Sequence, residues 1–590
     1  MCGISGIFMR GGHPVDPERL DRLASALAHR GPDADGRFLS GPIGFAHTRL
    51  SIVDLATGDQ PLFGAQGAVL IANGEIYNAP ELRPALQDRL KTLSDCEPAA
   101  HIFETDGAAF AEKLRGMYAI AIWSPADETL TLSRDPFGIK PLYYVETEEG
   151  LAFASEIGAL VAAGFASPMP SERARNELLQ LKYTLGSETI IPGVYRVAPG
   201  ETLTLRDGRI VSRRRIAAFP AKAAKGAGSE LADPVAAFEA VMTESVSAHL
   251  IADVPVSLFL SGGVDSSILL ILMRRLMQEV IAITVGYEDA SLDRSVDESE
   301  AALRHAARHG VEAERITMTR DDFFALAPRI AYALDDPTAD AAALPSYMLA
   351  RAARARGLKV ALCGEGADEL FGGYRRYRTK LIDRLIPRQK VKRGTFSKTG
   401  LESRLGTAWR DHYDAEARSA GSGQRSRTLA LQAADIANWL PNDLLIKLDR
   451  TLMANAIEGR TPYLDPKVAA FASALPDRLR VADGVGKVVM RQWLARADPA
   501  YPAFAKKKGF ITPVGRWITS RASDLAPLLA RQSCFAELVN ARSAADILER
   551  AERDAQPAWS LLFYALWSAT RVLGLDPKGD LISVLQDGAR

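Results

Sequence analysis

The chain has few cysteines, no excess of charge of either sign and no long apolar run. Its 590 residues include 4 cysteines, too few for a disulfide framework, which favours a reducing compartment. Lys and Arg together number 72, and so do Asp and Glu. This balance argues against a nucleic-acid coat protein or a polybasic membrane binder. No run approaches the ~18 apolar residues of a membrane span, and the start, MCGISGIFMRGG, lacks signal-peptide features. We therefore expect a cytoplasmic protein that binds neither nucleic acid nor membranes.

The composition changes near residue 220, which divides the chain in two. The segment 217–229, AAFPAKAAKGAGS, is rich in Ala, Gly and Lys and has a single large apolar residue, Phe219, and this composition is typical of a linker. At the usual domain size, 590 residues leave room for more than one domain. We expect one domain at 2–216 and another at 233–590, joined by a linker at 217–232.

The first part is rich in short β-like runs. AVLIA and GMYAIAIW are typical of strands, and Asp207-Gly208 between ETLTL and RIV is a strong hairpin signal. One amphipathic helix begins after the cap residue Asp16, with Pro17 in its first turn. Many strands with few helices predict two packed sheets.

The second part alternates between buried strands and helices. VSLFL (256–260), VIAITV (280–285) and KVALC (359–363) are apolar runs separated by helical segments, which predicts a parallel sheet with crossover helices. The polar and basic stretch 375–425 is predicted to be a solvated excursion rather than a nucleic-acid patch. Beyond residue 427 the chain is predicted to be mostly helical.

Cys2 is a candidate nucleophile because of its position. Removal of the initiator Met is expected before a small residue, and it leaves Cys2 with a free α-amino group. The reference pKa of such an amine is ~7.7–8, so it can take the thiol proton within the same residue. A Met-Cys start alone is weak and is more often chance. The interpretation therefore depends on other residues.

Six ordered blocks support this interpretation: MCGISGIF (1–8), HRGPD (29–33), HTRLSIVDL (47–55), NGEIYN (73–78), SDCE (94–97) and RDPFGIKPLYY (134–144). They resemble the glutaminase domain of class II amidotransferases. Together with the second part, they resemble glutamine-hydrolysing asparagine synthetase across nearly the whole chain. The resemblance implies an N-terminal αββα sandwich of the N-terminal-nucleophile hydrolase type. It also implies a C-terminal Rossmann-like parallel α/β domain of the ATP-pyrophosphatase type with a helical C-terminal part.

The resemblance also implies the glutaminase residues. Cys2 would be the nucleophile and its own amine the base. Asn73 and the backbone N–H of Gly74 would hold the oxyanion, where a missing donor costs ~10²-fold or more in rate. The residues implied in glutamine binding are Arg49, Leu50, Ile52, Val53, Asn73, Gly74, Glu75 and Asp95.

The residue types suit the ends of a free amino acid. Arg49 offers a planar fork for a carboxylate, and Glu75 and Asp95 can accept hydrogen bonds from an α-ammonium group. Taken alone, Asn73-Gly74 would be only a hairpin turn and Arg49 a surface residue.

Three other reactive side chains lie in the same blocks and receive no catalytic role. His29 and His47 are interpreted as structural, because no base role is vacant. Cys96 stands where the family often has Thr or Gly, and we interpret it as an incidental second thiol near the pocket.

Two loops of the second part predict a nucleotide site. SGGVDSS (261–267) follows a buried strand and opens a helix, so backbone N–H groups and the helix dipole can meet phosphate oxygens. It is neither a Walker loop nor a dinucleotide fingerprint, and it matches the pyrophosphate loop of ATP pyrophosphatases. GEGADE (364–369) follows KVALC, and parallel sheets bind ligands at the carboxyl ends of their strands. Asp265 and Asp368 are then candidate Mg²⁺ ligands, because hard oxygen ligands suit a metal shared with phosphates.

The family resemblance implies further residues here. Glu365 matches the acid implicated in forming the acyl-adenylate and in handling ammonia. Lys507 matches a lysine that stabilises charge during adenylation, although three consecutive lysines (506–508) are usually a solvated run. The residues implied in ATP binding are Leu260, Ser261, Gly262, Gly263, Asp265, Ser266, Val285, Cys363 and Gly364.

The resemblance implies an enzyme that takes ammonia from glutamine and transfers it to adenylated aspartate. Glutamine, aspartate, ATP and Mg²⁺ would be its small-molecule partners, and it could form a homodimer. Three alternatives stay open. They are a relative acting on another carboxylate, such as a peptide or antibiotic precursor, an intramolecular amide-forming cyclase and an inactive regulatory or scaffold protein. Cyclases of this type generally lack the terminal cysteine, and a dead scaffold would not need every catalytic position intact.

Overall fold

The computed structural model describes residues 2–220, 232–288, 297–378, 393–505 and 512–589. Most of the predicted linker at 217–232 lies outside these ranges, and so do the three lysines 506–508. Within the described ranges, no helix has both the length and the apolar character that a membrane span needs.

The first part is built on two antiparallel sheets. Its strands are β1 Cys2–Met9, β2 Ala34–Ser40, β3 Ile43–Arg49, β4 Leu62–Phe63, β5 Val69–Ile76, β6 Gly116–Ser124, β7 Thr129–Arg134, β8 Tyr143–Glu146, β9 Gly150–Ala154, β10 Val194–Arg196, β11 Glu201–Arg206 and β12 Arg209–Arg215. One sheet has the order β10-β8-β9-β1-β3-β2 and the other β12-β11-β7-β6-β5-β4. Asp207 and Gly208, both with positive φ, form the predicted turn between β11 and β12.

Helices cover the outer face of each sheet. They are α1 Pro17–Leu27, α2 Ala79–Leu82, α3 Glu97–Asp106, α4 Ile157–Ala162 and α5 Glu172–Leu181. Asp16 caps α1 by accepting a hydrogen bond from the Glu18 N–H. Leu20 and Leu23 of α1 pack on the β1 sheet, α3 packs on the β5 sheet, and Phe45 belongs to the apolar layer between the sheets. The predicted αββα sandwich is confirmed.

The second part contains the predicted parallel sheet. Its strands are β13 Val256–Phe259, β14 Ile281–Tyr287, β15 Ala313–Met318, β16 Val360–Leu362 and β17 Glu458–Arg460, with a separate small hairpin of β18 Val481–Ala482 and β19 Val485–Gly486. The sheet order is β15-β14-β13-β16-β17, and every pairing in it is parallel. The strand β17 was not predicted from the sequence.

Helices surround this sheet and form most of the C-terminal region. The crossover and flanking helices are α6 Pro234–His249, α7 Val264–Leu276, α8 Ser299–Arg308, α9 Arg320–Ala333, α10 Ala343–Ala355 and α11 Ala367–Phe371. Further helices span Glu402–Leu405, Ala408–Gly421, Arg427–Ala434, Ile446–Met453, Pro466–Ala474, Asp477–Arg480, Val488–Ala497, Val514–Thr519, Ala522–Ala530, Ala541–Glu549, Ala555–Trp567 and Leu581–Gly588, with π-helical turns at Asp435–Leu445 and Ser568–Val572. The prediction of a helical C-terminal part is confirmed.

The prediction of a loop excursion over 375–425 is wrong for its described second half. Residues 408–421 form a helix whose Trp409 is buried against Leu181, Tyr183 and Leu185 of the first part. The many basic residues of the stretch predict a solvated loop, and they outweigh the buried apolar residue, Trp409, that packs against the first part. Residues 379–392 of the same stretch lie outside the described ranges.

Buried ion pairs join the two parts. Arg30 is fully buried, and its guanidinium donates hydrogen bonds to Glu156 of its own part and to both carboxylate oxygens of Asp449 of the other, at 2.8–3.0 Å. Arg115 donates to Asp465 at 2.8 Å across the same contact. Breaking a buried ion pair leaves an uncompensated charge. These contacts therefore favour one placement of the first part of the chain relative to the second.

Candidate active sites

Cys2 begins the strand β1 at the rim of the sandwich. It pairs in register with Arg49 at the end of β3, and its residue surface is 8 % exposed. The Cys2 backbone nitrogen donates a hydrogen bond to Asn73 Oδ1 at 3.0 Å, and its carbonyl oxygen accepts one from Arg30 Nε at 3.1 Å. Both main-chain groups of Cys2 are therefore fixed by side chains from other elements.

Asn73 and Gly74 lie inside strand β5, so the hairpin-turn alternative is wrong. Gly74 is needed because strand β6 approaches closely, and a Cβ at this position would collide with the Met117 carbonyl oxygen. Asn73 is fully buried, and its Nδ2 has no hydrogen-bond partner among the described residues. A buried donor without a partner costs about 1–3 kcal/mol, and an oxyanion on Cys2-bound substrate would supply the missing acceptor.

Carboxylates occupy the neighbouring end of the pocket. Asp95 Oδ2 accepts a hydrogen bond from the Ile76 N–H at 2.6 Å, and Glu75 Oε1 lies 3.2 Å from Arg460 Nη2 of strand β17. Burial raises the pKa of both Glu75 and Asp95, and the Arg460 guanidinium opposes this rise. A ligand ammonium group would stabilise their charged forms.

Arg49 is present at the site but has partners within the protein. Its Nη1 lies 2.6 Å from Asp59 Oδ1, and its Nη2 donates to the carbonyl oxygens of Asp54 and Val53 at 2.5 and 3.2 Å. Asp59 has a largely exposed side chain, at 69 %, so a ligand carboxylate could replace it. The surface-residue alternative for Arg49 is wrong, since its side chain is buried.

The other predicted glutamine-site residues continue directly from Arg49. Leu50 and Ile52 are buried and Val53 is half-buried. Burial raises the pKa of the Cys2 thiol, whereas a positively charged amino terminus and the Leu50 backbone N–H lower it.

The second thiol, Cys96, lies beside the same pocket. Its Sγ is 3.7 Å from Asp95 Oδ2 and 3.9 Å from the Gly74 carbonyl oxygen. Burial, Asp95 and Glu75 raise the pKa of Cys96 well above its usual range. Because the thiolate is the nucleophilic form, Cys96 is disfavoured as an alternative to Cys2.

The two histidines of the sequence blocks make structural contacts. His47 is buried on β3, and burial lowers its pKa to about 3, so the ring is neutral at ordinary pH. His29 Nε2 lies 3.1 Å from Glu156, in the contact between the two parts. Both geometries agree with the structural interpretation.

The segment 261–267 follows β13 and continues into the first turn of α7, which begins at Val264, as predicted. Ser266 Oγ accepts a hydrogen bond from the Ser261 N–H at 3.1 Å and lies 3.1 Å from Ser261 Oγ. Gly262 has a φ of +74°, and a Cβ there would come within 2.9 Å of the Ala302 nitrogen on α8. Tyr501 donates its hydroxyl to the Gly262 carbonyl oxygen at 2.8 Å. The loop is therefore held open at the N-terminal end of α7.

The second predicted loop meets the first at the carboxyl edge of the sheet. A Cβ on Gly364 would lie 3.2 Å from Asp265 Cβ, so this glycine permits the close approach. Apolar residues at the ends of the three adjacent strands complete the edge: Leu260 after β13, Val285 in β14 and Cys363 after β16, all buried. The structure thus brings together the residues predicted for ATP.

Lys487 is a charged residue of this site that the sequence analysis missed. Its Nζ lies 2.6 Å from both carboxylate oxygens of Asp265 and 2.8 Å from Asp368 Oδ1, and its side chain is 3 % exposed. Lys487 has a φ of +59°, directly after the β18–β19 hairpin. The sequence VADGVGK carries no signal that links this lysine to two loops more than a hundred residues upstream.

The two carboxylates fit a hard divalent cation. The carboxylates of Asp265 and Asp368 both contact Lys487 Nζ, so their oxygens surround one point in space. Carboxylate oxygens arranged in this way suit Mg²⁺. A cation there would compete with Lys487 for the same oxygens. The lysine would then be available to neighbouring phosphate oxygens.

Glu365 belongs to the second loop and is half-buried. Burial raises the pKa of its carboxyl, and Lys447 opposes this rise. Lys447 Nζ itself lies 3.1 Å from Asp340. The predicted Lys507 lies outside the described residues, and its role stays a prediction.

Comparison with known proteins agrees with this two-site arrangement. The sequence profile described as a glutamine amidotransferase domain matches residues 1–215, and the profile described as asparagine synthase matches residues 237–570. A chain with both parts is an amidotransferase joined to a nucleotide-binding synthase domain. The chain belongs to the asparagine synthase family.

Curated relatives extend this likeness over most of the chain. A glutamine-hydrolysing asparagine synthetase of Bacillus subtilis is 30 % identical, with 97 % of each chain covered. Asparagine synthetase B of Escherichia coli is 28 % identical over 92 % of this chain and 87 % of its own. An amidase of Gibberella zeae, chry2, is 32 % identical over 64 % of this chain and 60 % of its own.

Proposed function

We propose that the protein makes asparagine from aspartate, with ATP as the activating reagent and glutamine as the source of ammonia. The observation that carries this proposal is the presence in one chain of two groups of residues, each suited to one half of the reaction. Cys2 with Asn73 suits amide hydrolysis, and the loops around Asp265 and Gly364 suit a nucleotide. The family membership and the near full-length likeness to glutamine-hydrolysing asparagine synthetases support it.

In the first site, the amine of processed Cys2 takes the thiol proton and the thiolate attacks the glutamine carboxamide. Asn73 Nδ2 and the Gly74 N–H then stabilise the oxyanion, a term that typically supplies ~10²-fold or more. Arg49 would bind the substrate carboxylate in place of Asp59, while Glu75 and Asp95 accept from its ammonium group. The proton returns to the leaving ammonia, and water hydrolyses the thioester to glutamate.

In the second site, a carboxylate oxygen attacks the α-phosphorus of ATP, and pyrophosphate leaves. The attack is needed because a carboxylate is a poor electrophile, whereas an acyl-adenylate has AMP as a leaving group. Asp265 and Asp368 would hold Mg²⁺, which would neutralise charge on the phosphates when bound. Lys487 and the loop at 261–267 would bind the pyrophosphate part, and Glu365 would take a proton as ammonia attacks the β-aspartyl carbonyl and AMP departs.

Ammonia would pass between the sites inside the protein, because in bulk water it would be protonated to ammonium, which has no lone pair and is not a nucleophile. Strand β17 supports such a path, because Arg460 contacts Glu75 in the glutaminase pocket and β17 pairs with β16. β16 leads directly into the loop that carries Glu365. The neighbouring strands β16 and β17 therefore connect the two sites, since β17 contacts the first site and β16 leads into the second.

A different carboxylate acceptor is the second candidate. The fungal amidase relative, 32 % identical over 64 % of this chain, favours it, since that protein carries another name on the same type of sequence. To distinguish the two, pyrophosphate release is measured with ATP, Mg²⁺ and glutamine against a panel of carboxylates. Release with aspartate supports the proposal, whereas release with another acid and none with aspartate supports the alternative.

Cys2→Ala tests the division of labour. Synthesis should stop with glutamine but continue with ammonium salt at mildly alkaline pH, where more free ammonia exists. Cys96→Ala is the matched control, because it removes a neighbouring thiol and should retain glutamine-dependent synthesis. If folded Cys2→Ala protein loses synthesis with ammonia as well, the two-site proposal is wrong.

A further inference from the structure

A second polar cluster lies next to the loop at 261–267, which we call the nucleotide loop, and its residues take no part in the two sites described above. His305 on α8, His309 at its C-terminal end and Asp498 after the helix Val488–Ala497 place their side-chain ligand atoms within 4.8 Å of one another. His305 and Asp498 are buried, and His309 is partly exposed. We propose that these three residues form a binding site for a divalent transition-metal ion of the zinc type.

Two of the three ligand–ligand distances match the edges of a tetrahedral site. Asp498 Oδ2 lies 3.3 Å from His305 Nδ1 and 3.3 Å from His309 Nε2. Metal–ligand bonds of about 2.0–2.1 Å in a tetrahedron give ligand–ligand separations of about 3.3–3.4 Å. His305 lies in α8, and His309 follows it by four residues at the C-cap of this helix; this spacing between two histidines recurs in zinc sites.

The hydrogen bonds of His305 set the tautomer that a metal requires. Its Nε2 lies 3.5 Å from the Ser267 carbonyl oxygen, which can only accept, so the proton belongs on Nε2. Nδ1 accepts from Arg308 Nη2 at 3.0 Å and so presents a lone pair. Metal-ligating histidines commonly donate their other N–H to a carbonyl oxygen in this way.

Arg308 now supplies the positive charge at the position that the metal would take. Its Nη2 lies 3.0 Å from His305 Nδ1 and 2.8 Å from Asp498 Oδ2, so one cationic nitrogen contacts two of the three ligands. The Arg308 side chain is 37 % exposed, and it can turn into solvent when a metal binds. Arg308 is therefore a competitor for the site rather than part of it.

The position of the cluster gives the ion a structural consequence. The His305 ring lies 5.0 Å from the ring of Tyr501, whose hydroxyl donates to Gly262 in the nucleotide loop. Ala302, one turn before His305, is the residue that Gly262 approaches. A metal joining α8 to Asp498 would fix both supports of this loop, so its binding should raise the melting temperature.

Cobalt(II) titration of the tag-free full-length chain tests the proposal, because Co²⁺ with nitrogen ligands has visible absorption that zinc lacks. The Cys2→Ala background removes the terminal aminothiol, and excess Mg²⁺ fills the oxygen-ligand site at Asp265. We expect one saturating equivalent with tetrahedral bands, displaced by Zn²⁺, and a higher melting temperature with either ion.

Variants of α8 make the test specific. His309→Ala should weaken binding by about tenfold or more, and His309→Cys should restore it with an added thiolate charge-transfer band. Arg308→Ala should bind more tightly than the parent, because the competing cation is gone. Arg304→Ala is the control, since Arg304 is an exposed residue of the same helix that pairs with Glu300, and it should bind like the parent.

Three results would overturn the proposal. They are the absence of tetrahedral bands, equal binding in the His309→Ala variant, and weaker binding in the Arg308→Ala variant, which would make Arg308 the structural partner of the cluster. Circular dichroism of each variant separates these results from misfolding.

Discussion

Replacement of Lys487 by Met should destabilise the protein and make its stability depend on Mg²⁺. The ammonium group lies 2.6 Å from both oxygens of Asp265 and 2.8 Å from Asp368, and its side chain is 3 % exposed. Met keeps the length of the stem and removes the charge. Two partly buried carboxylates then face each other without compensation, and loss of one partner from a buried pair costs about 3–5 kcal/mol.

A divalent cation should restore much of this loss, because it would take the place of the ammonium group between the carboxylates. A ligand at a hundredfold excess over its Kd stabilises the native state by about 2.7 kcal/mol. The parent protein should gain less, since Lys487 already occupies the focus of both side chains.

The assay compares urea and thermal unfolding in EDTA and in saturating Mg²⁺ for the parent and Lys487→Met. ATP–pyrophosphate exchange should fall by about 10²-fold or more, the typical cost of a lost charge-stabilising donor, while glutaminase activity is retained. Lys467→Met is the matched control, because Lys467 pairs with Glu244 at the surface and such pairs contribute about 1 kcal/mol or less. Unchanged stability in EDTA, or equal stabilisation of both proteins by Mg²⁺, would refute the reasoning.

Three further predictions concern single side chains. Glu365→Gln should abolish asparagine formation and leave glutaminase activity intact, and equal loss of both in coupled assays would contradict the assignment. Lys507→Ala should reduce pyrophosphate release far more than Lys506→Ala, and similar rates would show that the lysine run is solvated. Burial lowers the pKa of His249 to about 3, so below pH ~6.5 the unfolded chain binds a proton that the native state does not. The free energy of unfolding therefore decreases as the pH decreases below ~6.5, by up to ~1.36 kcal/mol per pH unit. The His249→Gln variant should show a smaller drop in urea midpoint between pH 7 and pH 5, and an unchanged drop would refute this.

The sequence predicted the fold where local signals and burial agree. Asp207-Gly208 formed its hairpin, Asp16 capped its helix, and the three apolar runs of the second part became parallel strands. The prediction over 375–425 was wrong beyond residue 400, because charged residues on one face of the helix at 408–421 outnumber the buried Trp409 that anchors it.

For the candidate sites, the sequence predicted which residues take part better than it predicted which side chains they contact. Motif spacing located Asn73 and Asp265, but Asn73 lies inside a strand, and Asp265 is paired with a lysine 222 residues away. The tie between Arg49 and Asp59 was likewise absent from the sequence analysis. Such pairings depend on which elements the tertiary fold brings together, and a local pattern carries no information about that.

Strand β17 shows most clearly why the two sites belong to one molecule. It is only Glu458–Arg460, too short for an alternating pattern, and both charged residues are fully buried, against ordinary expectation for Glu and Arg. Arg460 donates to Glu458 at 2.5 Å and to the carbonyl oxygens of His249 and Ile251, and its remaining nitrogen faces Glu75 of the other part. Carboxylates of both parts compensate this buried cation, Glu458 through a hydrogen bond and Glu75 through an ion pair at 3.2 Å, so the glutaminase pocket and the parallel sheet stabilise the same residue. The ion pair between Arg460 and Glu75 thus links strand β17 directly to the pocket that holds Cys2.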